Sequence, residues 1–599
     1  MNSSIFRSGA VALLAASAAV QAQSPLRSEP TVVVTANRLQ LAIDETLSSV
    51  SVIDRARIEA YGALDLVDLL RAEAGLDVVR TGGLGAQTAV FMRGANSNQV
   101  LVLVDGVRVS SSTAGTYAFE QLPLEQIERI EIVRGPRAAL YGSDAIGGVI
   151  QIFTRRQQNF DATVGIGNHD TWRAAAGAGW ALGEGRIGVR VGAVDTGGFN
   201  SQNPRGFSFD PDKDGFEQQN AVVDVELPLG GVLFDAQANH AEGELEFDRG
   251  VSDLRNSQLA LGLSSADQEG WSLRASQAEN VYDTPAFFSR FETRRRQLDW
   301  QHLAYAQGRN TVLWGLSWVE DDGASIDTFS GSDKYAGVRE HRAGFIAWRG
   351  AAPRLSWELA ARHDDYDGFG GRASAQAALG FELTEAWQLR GNLGQGFRAP
   401  TLNELFSPGF GGLFAGNPDL DPERSRTAEL ALGYSASPWS MDLQVYDTRV
   451  RDLVDFSGGS TFAAINVGRA RLRGAELSWR REHSDWRLGG NLGWQQARNE
   501  ITGSDLLRRA PRKANLELAR RFGEWWLQAD LHAAAPRPDF GGELPGYGLV
   551  GLSIERPLAE RWSLSLRVDN LFDRDYELAR GFNAAGTASL LQLRWNAGQ

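Results

Sequence analysis

The chain has 599 residues, of which 43% are hydrophobic and 22% charged, with a formal net charge of −14. This composition excludes disorder as the main state and argues against nucleic acid as a partner, and the absence of cysteine excludes disulfides, cysteine-ligated metals and thiol nucleophiles. The 67 Gly, 17 Trp and 28 Phe favour many short glycine-punctuated strands, and therefore an all-β fold.

The N-terminus has the pattern of a secretory signal. Arg7 precedes an apolar run over residues 9–20, and the small residue Ala22 follows. We predict a signal peptide over residues 1–22 and a mature chain that begins at Gln23. No other stretch reaches about 18 consecutive apolar residues, which argues against an inner-membrane helical protein. An exported protein of this kind is secreted, periplasmic or an outer-membrane barrel.

Residues from about 31 to 156 have the pattern of a small mixed α/β domain. Residues 63–74 place Leu66, Leu69 and Leu70 on one face and precede Gly75, which predicts a short helix. Residues 100–104 form an apolar run that predicts a buried strand, with a turn at residues 105–106. Residues 127–133 alternate and predict a further strand.

From about Phe160 to the end, short segments alternate between apolar and polar residues. In residues 187–193, for example, the apolar side chains face away from Arg190. A soluble β-sandwich gives the same alternation, but tryptophans such as Trp486 and Trp494 bracket segments as the aromatic girdles of a membrane barrel do. About 440 residues at about 20 per strand and connection predict about 22 antiparallel strands, whose wide lumen requires a plug.

These patterns predict four regions. They are a signal peptide at 1–22, a connecting segment at 23–40, a plug domain at 41–157 and a transmembrane β-barrel at 158–599.

No catalytic motif is visible. Neither His341 nor His483 belongs to an H-E-x-x-H motif, and the glycine-rich residues 142–148 lack the ending of a phosphate-binding loop. Adjacent acids such as Asp364 and Asp365 are typical of solvated loops. The sequence therefore predicts that the protein is not an enzyme.

One acidic segment has the opening of a calcium-binding loop. Asp210, Asp212 and Asp214 alternate and precede Gly215, but Ala221 stands where an EF-hand needs a bidentate glutamate. Any further ligands must come from another part of the chain. The alternative interpretation is a solvated polar loop.

Several motifs resemble those of the TonB-dependent outer-membrane receptors, and most closely the branch that transports cobalamin. The plug motifs are Phe91-Met92-Arg93-Gly94, residues 102–108, and residues 134–137 with 141–148, and the barrel motifs are residues 396–400, 416–423 and 570–576. The resemblance implies active cobalamin transport driven by TonB, in a monomer embedded in the outer-membrane lipid of a Gram-negative bacterium. A siderophore or another bulky ligand, a passive porin, and an adhesin or surface enzyme are the alternatives.

The resemblance also identifies a TonB box, the segment that TonB grasps, and implies that residues 23–40, which contain it, form a periplasmic segment. Consecutive β-branched residues suit a strand that adds to a sheet edge through main-chain hydrogen bonds. An ordinary first strand of the plug is the alternative. The box comprises Thr31, Val32, Val33, Val34, Thr35 and Ala36.

The remaining site residues are implied by the same resemblance. Calcium would lie between two neighbouring extracellular loops, with Phe247 as a carbonyl donor and Asn200 where the family has an acid. The calcium residues are Asn200, Asp210, Asp212, Asp214, Phe247, Asp248 and Asp253, with Asp248 and Asp253 expected in the second long loop. The cobalamin-contacting residues are Gln87, Ala89, Asn96, Ala114, Gly115, Arg508 and Phe540.

Overall fold

The computed structural model describes residues 32–33, 38–39, 41–267, 270–305, 309–409, 413–458 and 461–597. The predicted signal peptide lies outside the described residues, as do four of the six TonB-box residues. Val32 and Val33 are described as a two-residue strand paired with Leu41–Ala42. Among the described residues, no helix is both long and apolar enough to cross a membrane.

The N-terminal part of the described chain is a mixed α/β domain. Its elements are β1 (Val32–Val33), β2 (Leu41–Ala42), β3 (Ser49–Asp54), α1 (Arg55–Tyr61), α2 (Leu66–Arg71), β4 (Leu76–Arg80), β5 (Thr88–Met92), β6 (Val100–Val104), β7 (Val107–Arg108), β8 (Ile127–Arg134), α3 (Ala138–Tyr141) and β9 (Gly148–Thr154).

Five of these strands form the central sheet of the plug. The order is β3-β8-β9-β6-β7, in which β6 and β9 run parallel and the other neighbours antiparallel. All five residues of β6 are buried, as predicted for residues 100–104. The helix predicted over residues 63–74 is shorter, because the Asp65 side chain caps α2 by accepting from the Asp68 backbone N–H.

The rest of the chain consists mainly of long strands. They are β10 (Asp161–Gly167), β11 (Thr171–Leu182), β12 (Gly185–Phe199), β13 (Asp214–Leu229), β14 (Val232–Phe247), β15 (Gly250–Ser265), β16 (Trp271–Thr284), β17 (Ser289–Tyr305), β18 (Thr311–Asp327), β19 (Ser332–Ala351), β20 (Leu355–Tyr366), β21 (Gly370–Glu382) and β22 (Trp387–Arg398).

The second half continues in the same way, with one short helix. Its elements are α4 (Leu402–Phe406), β23 (Glu423–Ala436), β24 (Trp439–Arg451), β25 (Val454–Gly458), β26 (Ala463–Asn466), β27 (Arg469–His483), β28 (Trp486–Asn499), β29 (Arg512–Phe522), β30 (Trp525–Ala534), β31 (Arg537–Asp539), β32 (Gly542–Leu544), β33 (Tyr547–Ala559), β34 (Trp562–Asp569) and β35 (Ala588–Asn596).

Twenty-two of these strands close into an antiparallel barrel. The pairs β25-β26 and β31-β32 are hairpins within connections, and every other strand from β10 to β35 belongs to the barrel. The barrel closes where β10 pairs with β35, for example at Val164 and Leu593. The prediction of about 22 strands around a plug is confirmed.

The two faces of the barrel wall differ as the alternation predicts. Arg190 of β12 is 2% exposed and donates to Asp161 on the inner side, whereas Val191 beside it is exposed on the outer side. Trp486 and Trp494 of β28 are both exposed on the outer face. The short connections lie at one end of the barrel, which we call the turn end, and the longer connections at the other, the loop end.

Candidate ligand-binding and calcium sites

Three aspartates converge at the loop end. One carboxylate oxygen from each of Asp212, Asp214 and Asp248 lies within 4.8 Å of the others. The Oδ2 atom of Asp214 accepts from the Ser201 backbone N–H at 2.6 Å, and Oδ1 of Asp248 accepts from the Asp210 backbone N–H at 2.8 Å. The sequence-predicted acids of two separate connections are therefore brought together.

This acidic cluster has the chemistry of a hard-cation site. Asp248 is 1% exposed, and its Oδ2 atom is buried with no hydrogen-bond partner among the described residues. A buried carboxylate oxygen without a partner is costly, and three carboxylates side by side repel one another. Calcium takes oxygen ligands at about 2.3–2.6 Å and removes both penalties, so the residues present fit this ion.

The other predicted calcium residues lie around the cluster or away from it. The Asn200 side chain accepts from the Gln202 backbone N–H, and the Phe247 ring packs against Phe287 with ring centres 5.7 Å apart. Asp210 donates its backbone N–H to Asp248, and its carboxylate is not one of the three that lie within 4.8 Å of one another.

Asp253 is not part of the cluster. The prediction that Asp248 and Asp253 share a long loop is wrong, because β14 continues to Phe247 and β15 begins at Gly250. Asp248 and Arg249 form a two-residue turn between these strands, and Arg249 adopts a positive φ of 67°. Along β15 the side chains alternate, and Asp253 is exposed on the outer face.

The plug presents an arginine-bound apex towards the loop end. The Asn96 backbone N–H donates to Gln99 Oε1, and the Asn96 side-chain oxygen accepts from Arg509. Arg509 also donates to the Gly94 carbonyl oxygen at 3.2 Å, and its guanidinium lies 4.3 Å from the centre of the Phe91 ring. The predicted residue Asn96 is thus held against the barrel connection that contains Arg508.

Arg508 and Phe540 form a stacked pair on the barrel side. The guanidinium of Arg508 lies 5.0 Å from the centre of the Phe540 ring, and its Nε donates to Asp539 Oδ1 at 2.9 Å. Phe540 is 65% exposed. Arg508 adopts a positive φ of 69°, an uncommon conformation for a residue with a side chain. The pair offers a flat aromatic and cationic surface beside the plug.

The other four predicted ligand residues lie on neighbouring parts of the plug. Gln87 is exposed, and Ala89 packs with the cluster that contains Phe91. Ala114 is exposed at a second apex, where Gly115 has a φ of +77° and a side chain would come within 2.7 Å of Thr401. A side chain at Gly115 would also approach Asn98, which connects this apex to that of Asn96.

Sequence reasoning missed Arg509 and Asp539, which orient Asn96 and Arg508. It also missed the partners of Arg93, whose guanidinium pairs with Glu429 at 2.9 Å and Glu476 at 2.8 Å in the barrel wall. Position in the chain gave no signal for these contacts, because the barrel residues lie more than 300 positions away. The motif Phe91-Met92-Arg93-Gly94 was the signal in the sequence that pointed to a role for Arg93.

Two family models match the chain. The description "TonB dependent receptor-like, beta-barrel" matches residues 179–571, and "TonB-dependent Receptor Plug Domain" matches residues 42–149. Together they cover both the barrel and the plug seen in the structure.

Similar proteins of full length are also found. Proteins named vitamin B12 transporter BtuB are similar at 28% identity in Photobacterium profundum (93% of this chain, 94% of the relative) and at 29% in Vibrio cholerae serotype O1 (94% and 95%).

Solved structures share the fold. The siderophore receptor PirA of Acinetobacter baumannii has a TM-score of 0.76 at 16% identity, covering 91% of this chain and 98% of that one. A mutant of the ferric enterobactin receptor PfeA of Pseudomonas aeruginosa has a TM-score of 0.78 at 18% identity, covering 94% and 100%. The chain, a 22-stranded barrel with an internal plug, belongs to the TonB-dependent receptor family of Gram-negative outer-membrane transporters.

Proposed function

We propose that this transporter carries cobalamin across the outer membrane, that TonB drives it by pulling on residues 31–36, and that calcium organises its binding surface. The observation that supports cobalamin as the substrate is the similarity, over more than 90% of both chains, to proteins named vitamin B12 transporters. The siderophore receptors support the fold alone, because their identity to this chain is 16–18%.

The arrangement at the loop end supports a bulky ligand with both polar and flat apolar surfaces. Phe540 offers an exposed ring, Arg508 a guanidinium, and Asn96 an amide at the plug apex. Aromatic and arginine side chains of this kind dominate many binding surfaces. Because the ligand would touch both plug and barrel, remodelling of the plug would release it.

The acidic cluster supports a role for calcium in this function. The Oδ2 atom of Asp248, which has no hydrogen-bond partner in the described part of the chain, would supply oxygen ligands together with Asp212 and Asp214. A bound ion would fix these three residues before the ligand arrives, which lowers the ordering cost of binding. No covalent reaction is part of this function.

Equilibrium binding of cyanocobalamin to the purified receptor in detergent tests the proposal. We expect saturable binding that ferric enterobactin does not displace, and Phe540→Ala should weaken it by about tenfold, since aromatic anchors contribute about 1–2 kcal/mol. Phe522→Ala, at the turn end of β29, is the matched control and should bind normally. Absence of cobalamin binding, or displacement by the ferric siderophore, would reject cobalamin as the substrate and leave the family assignment unchanged.

A further inference from the structure

A row of arginines crosses the outer face of the barrel near the loop end. The register aligns neighbouring residues of four consecutive barrel strands, β23, β24, β27 and β28. The aligned residues are Arg426, Arg449, Arg471 and Arg498. Their side chains point outwards, because they alternate with buried residues such as Thr427, Val450 and Leu472.

A second row lies two residues closer to the loops. It aligns Arg424, Arg451 and Arg469 on the first three of these strands. The two rows together, which we call the arginine belt, place seven guanidinium groups on one patch of the outer surface. All seven side chains lie outside the lumen, so none of them serves the ligand site at the loop end.

The arginine belt carries uncompensated positive charge. Asp447 pairs with Arg471 at 2.8 Å and approaches Arg449 at 3.9 Å, and Asp452 lies 3.9 Å from Arg424. Glu500 and Asp505 lie at its edge, next to Arg469 and Arg498, and among the described residues neither acid forms an ion pair with the belt. The side chains of Arg426, Arg451 and Arg469 have no ion pair or hydrogen bond within the described part of the chain.

In another part of the barrel, outward-facing arginines have acidic partners. On β17, Arg294 pairs with Glu279 at 2.7 Å and Arg296 with Glu320 at 2.6 Å. On β19, Arg342 lies 3.9 Å from Glu340. These three arginines have acidic partners that Arg426, Arg451 and Arg469 lack within the described part of the chain.

The height of the arginine belt matches the headgroups of the outer leaflet. Trp494 is exposed on β28 and aligns with Ala475, and Arg498 lies four residues further towards the loops, about 13 Å along the strand. Exposed tryptophans mark the boundary between hydrocarbon and headgroups. The arginines thus follow immediately outside the apolar band.

An apolar depression lies below the arginine belt on neighbouring strands. It has a volume of about 600 Å³. Its outward lining includes Leu443, Ala475, Leu477, Leu492 and Trp494, with Arg512 beside them. Leu443 and Leu492 are each 46% exposed. A molecule with an anionic head and acyl chains can therefore contact guanidinium groups and this depression at once.

We propose that the arginine belt and the depression below it form a binding site for a phosphorylated glycolipid of the outer leaflet. Arginine pairs with phosphate through bidentate, charge-assisted hydrogen bonds, and Arg426, Arg451 and Arg469 can make them because they have no ion pair with any described residue. Free inorganic phosphate would use the arginines but not the apolar depression. The site does not depend on which substrate the transporter carries.

Binding of diphosphoryl lipid A to the full-length receptor in detergent, followed by native mass spectrometry, tests the proposal. The belt variant Arg426→Gln, Arg451→Gln, Arg469→Gln should bind about a hundredfold more weakly, because each of the three cationic side chains near a charged headgroup contributes about 1 kcal/mol. The matched control is Arg294→Gln, Arg296→Gln, Arg342→Gln, which removes paired arginines and should change binding by less than about twofold.

Two measurements on the unaltered receptor keep the test independent of variant folding. Enzymatically dephosphorylated lipid A should bind about a hundredfold more weakly than the diphosphoryl form, and raised salt should reduce that difference in affinity. Millimolar inorganic phosphate should not displace the lipid. Equal binding of the two lipids, equal binding by the belt variant, or full displacement by inorganic phosphate would each overturn the proposal.

Discussion

Arg93 of the plug and Glu476 of the barrel wall form a buried bidentate ion pair. Arg93 Nε lies 3.1 Å from Glu476 Oε1, and Nη2 lies 2.8 Å from Oε2. Glu429 accepts from the same guanidinium, whose centre lies 4.7 Å from that of the Tyr446 ring. One plug guanidinium thus bridges two buried carboxylates of the barrel wall, and Arg134 and Arg137 of the plug add positive charge near them.

Arg93→Ala should loosen the plug without unfolding the barrel. Removing one partner of a buried pair costs about 3–5 kcal/mol, because the remaining charges stay desolvated. Hydrogen exchange should show faster opening of plug amides in β5 and β6, while barrel strands keep their protection. The control is Arg156→Ala, which breaks an exposed contact to Glu226. An equal effect from both substitutions would contradict the anchoring role of Arg93.

Val33→Pro should abolish uptake and leave ligand binding intact. Proline removes a main-chain donor, and TonB is expected to pair with residues 31–36 through the main chain. In the structure Val33 pairs with Leu41, so this segment already has strand geometry. Val33→Ala is the control and should transport nearly normally. Uptake of labelled cobalamin by cells, beside binding to purified protein, checks the result; normal uptake in the proline variant would remove the TonB-box assignment.

Trp486 and Trp494 should lie near opposite interfaces of the bilayer. Both are exposed on the outer face of β28, eight residues apart, which is about 26 Å along the tilted strand. The chain has no cysteine, so single spin labels at Trp486→Cys, Leu492→Cys and Trp494→Cys report depth without interference. The label at residue 492 should be the deepest. A deeper label at either tryptophan position would contradict the predicted girdles.

Local patterns predicted the parts of this fold that depend on neighbouring residues. Alternation identified the inward arginine of β12, and an apolar run identified β6, because side-chain direction follows strand parity. Contacts that depend on strand register could not be predicted in this way. The two-residue turn after Phe247 is an example, since the extent of pairing between β14 and β15 decided whether Asp253 faced the cluster. The partners of Arg93 likewise depend on how the plug sits in the closed barrel.

Calcium should strengthen cobalamin binding through the acidic cluster. Asp212, Asp214 and Asp248 repel one another without a cation, and the ion would draw their two connections together over the lumen. By reciprocity, cobalamin should tighten calcium binding by the same factor. Titrations of each ligand in the presence and absence of the other, with a chelator as reference, measure this coupling.

Substitutions within the cluster separate this coupling from a general effect of charge. Asp212→Asn with Asp248→Asn keeps side-chain volume and should reduce cobalamin affinity in calcium to the level seen with chelator, because too few charged ligands remain for the ion. Asp253→Asn removes an acid from the outer face of β15 and should leave the calcium response unchanged. If chelator has no effect on the unaltered receptor, calcium does not organise this surface. If Asp253→Asn matches the double substitution, the ion lies elsewhere.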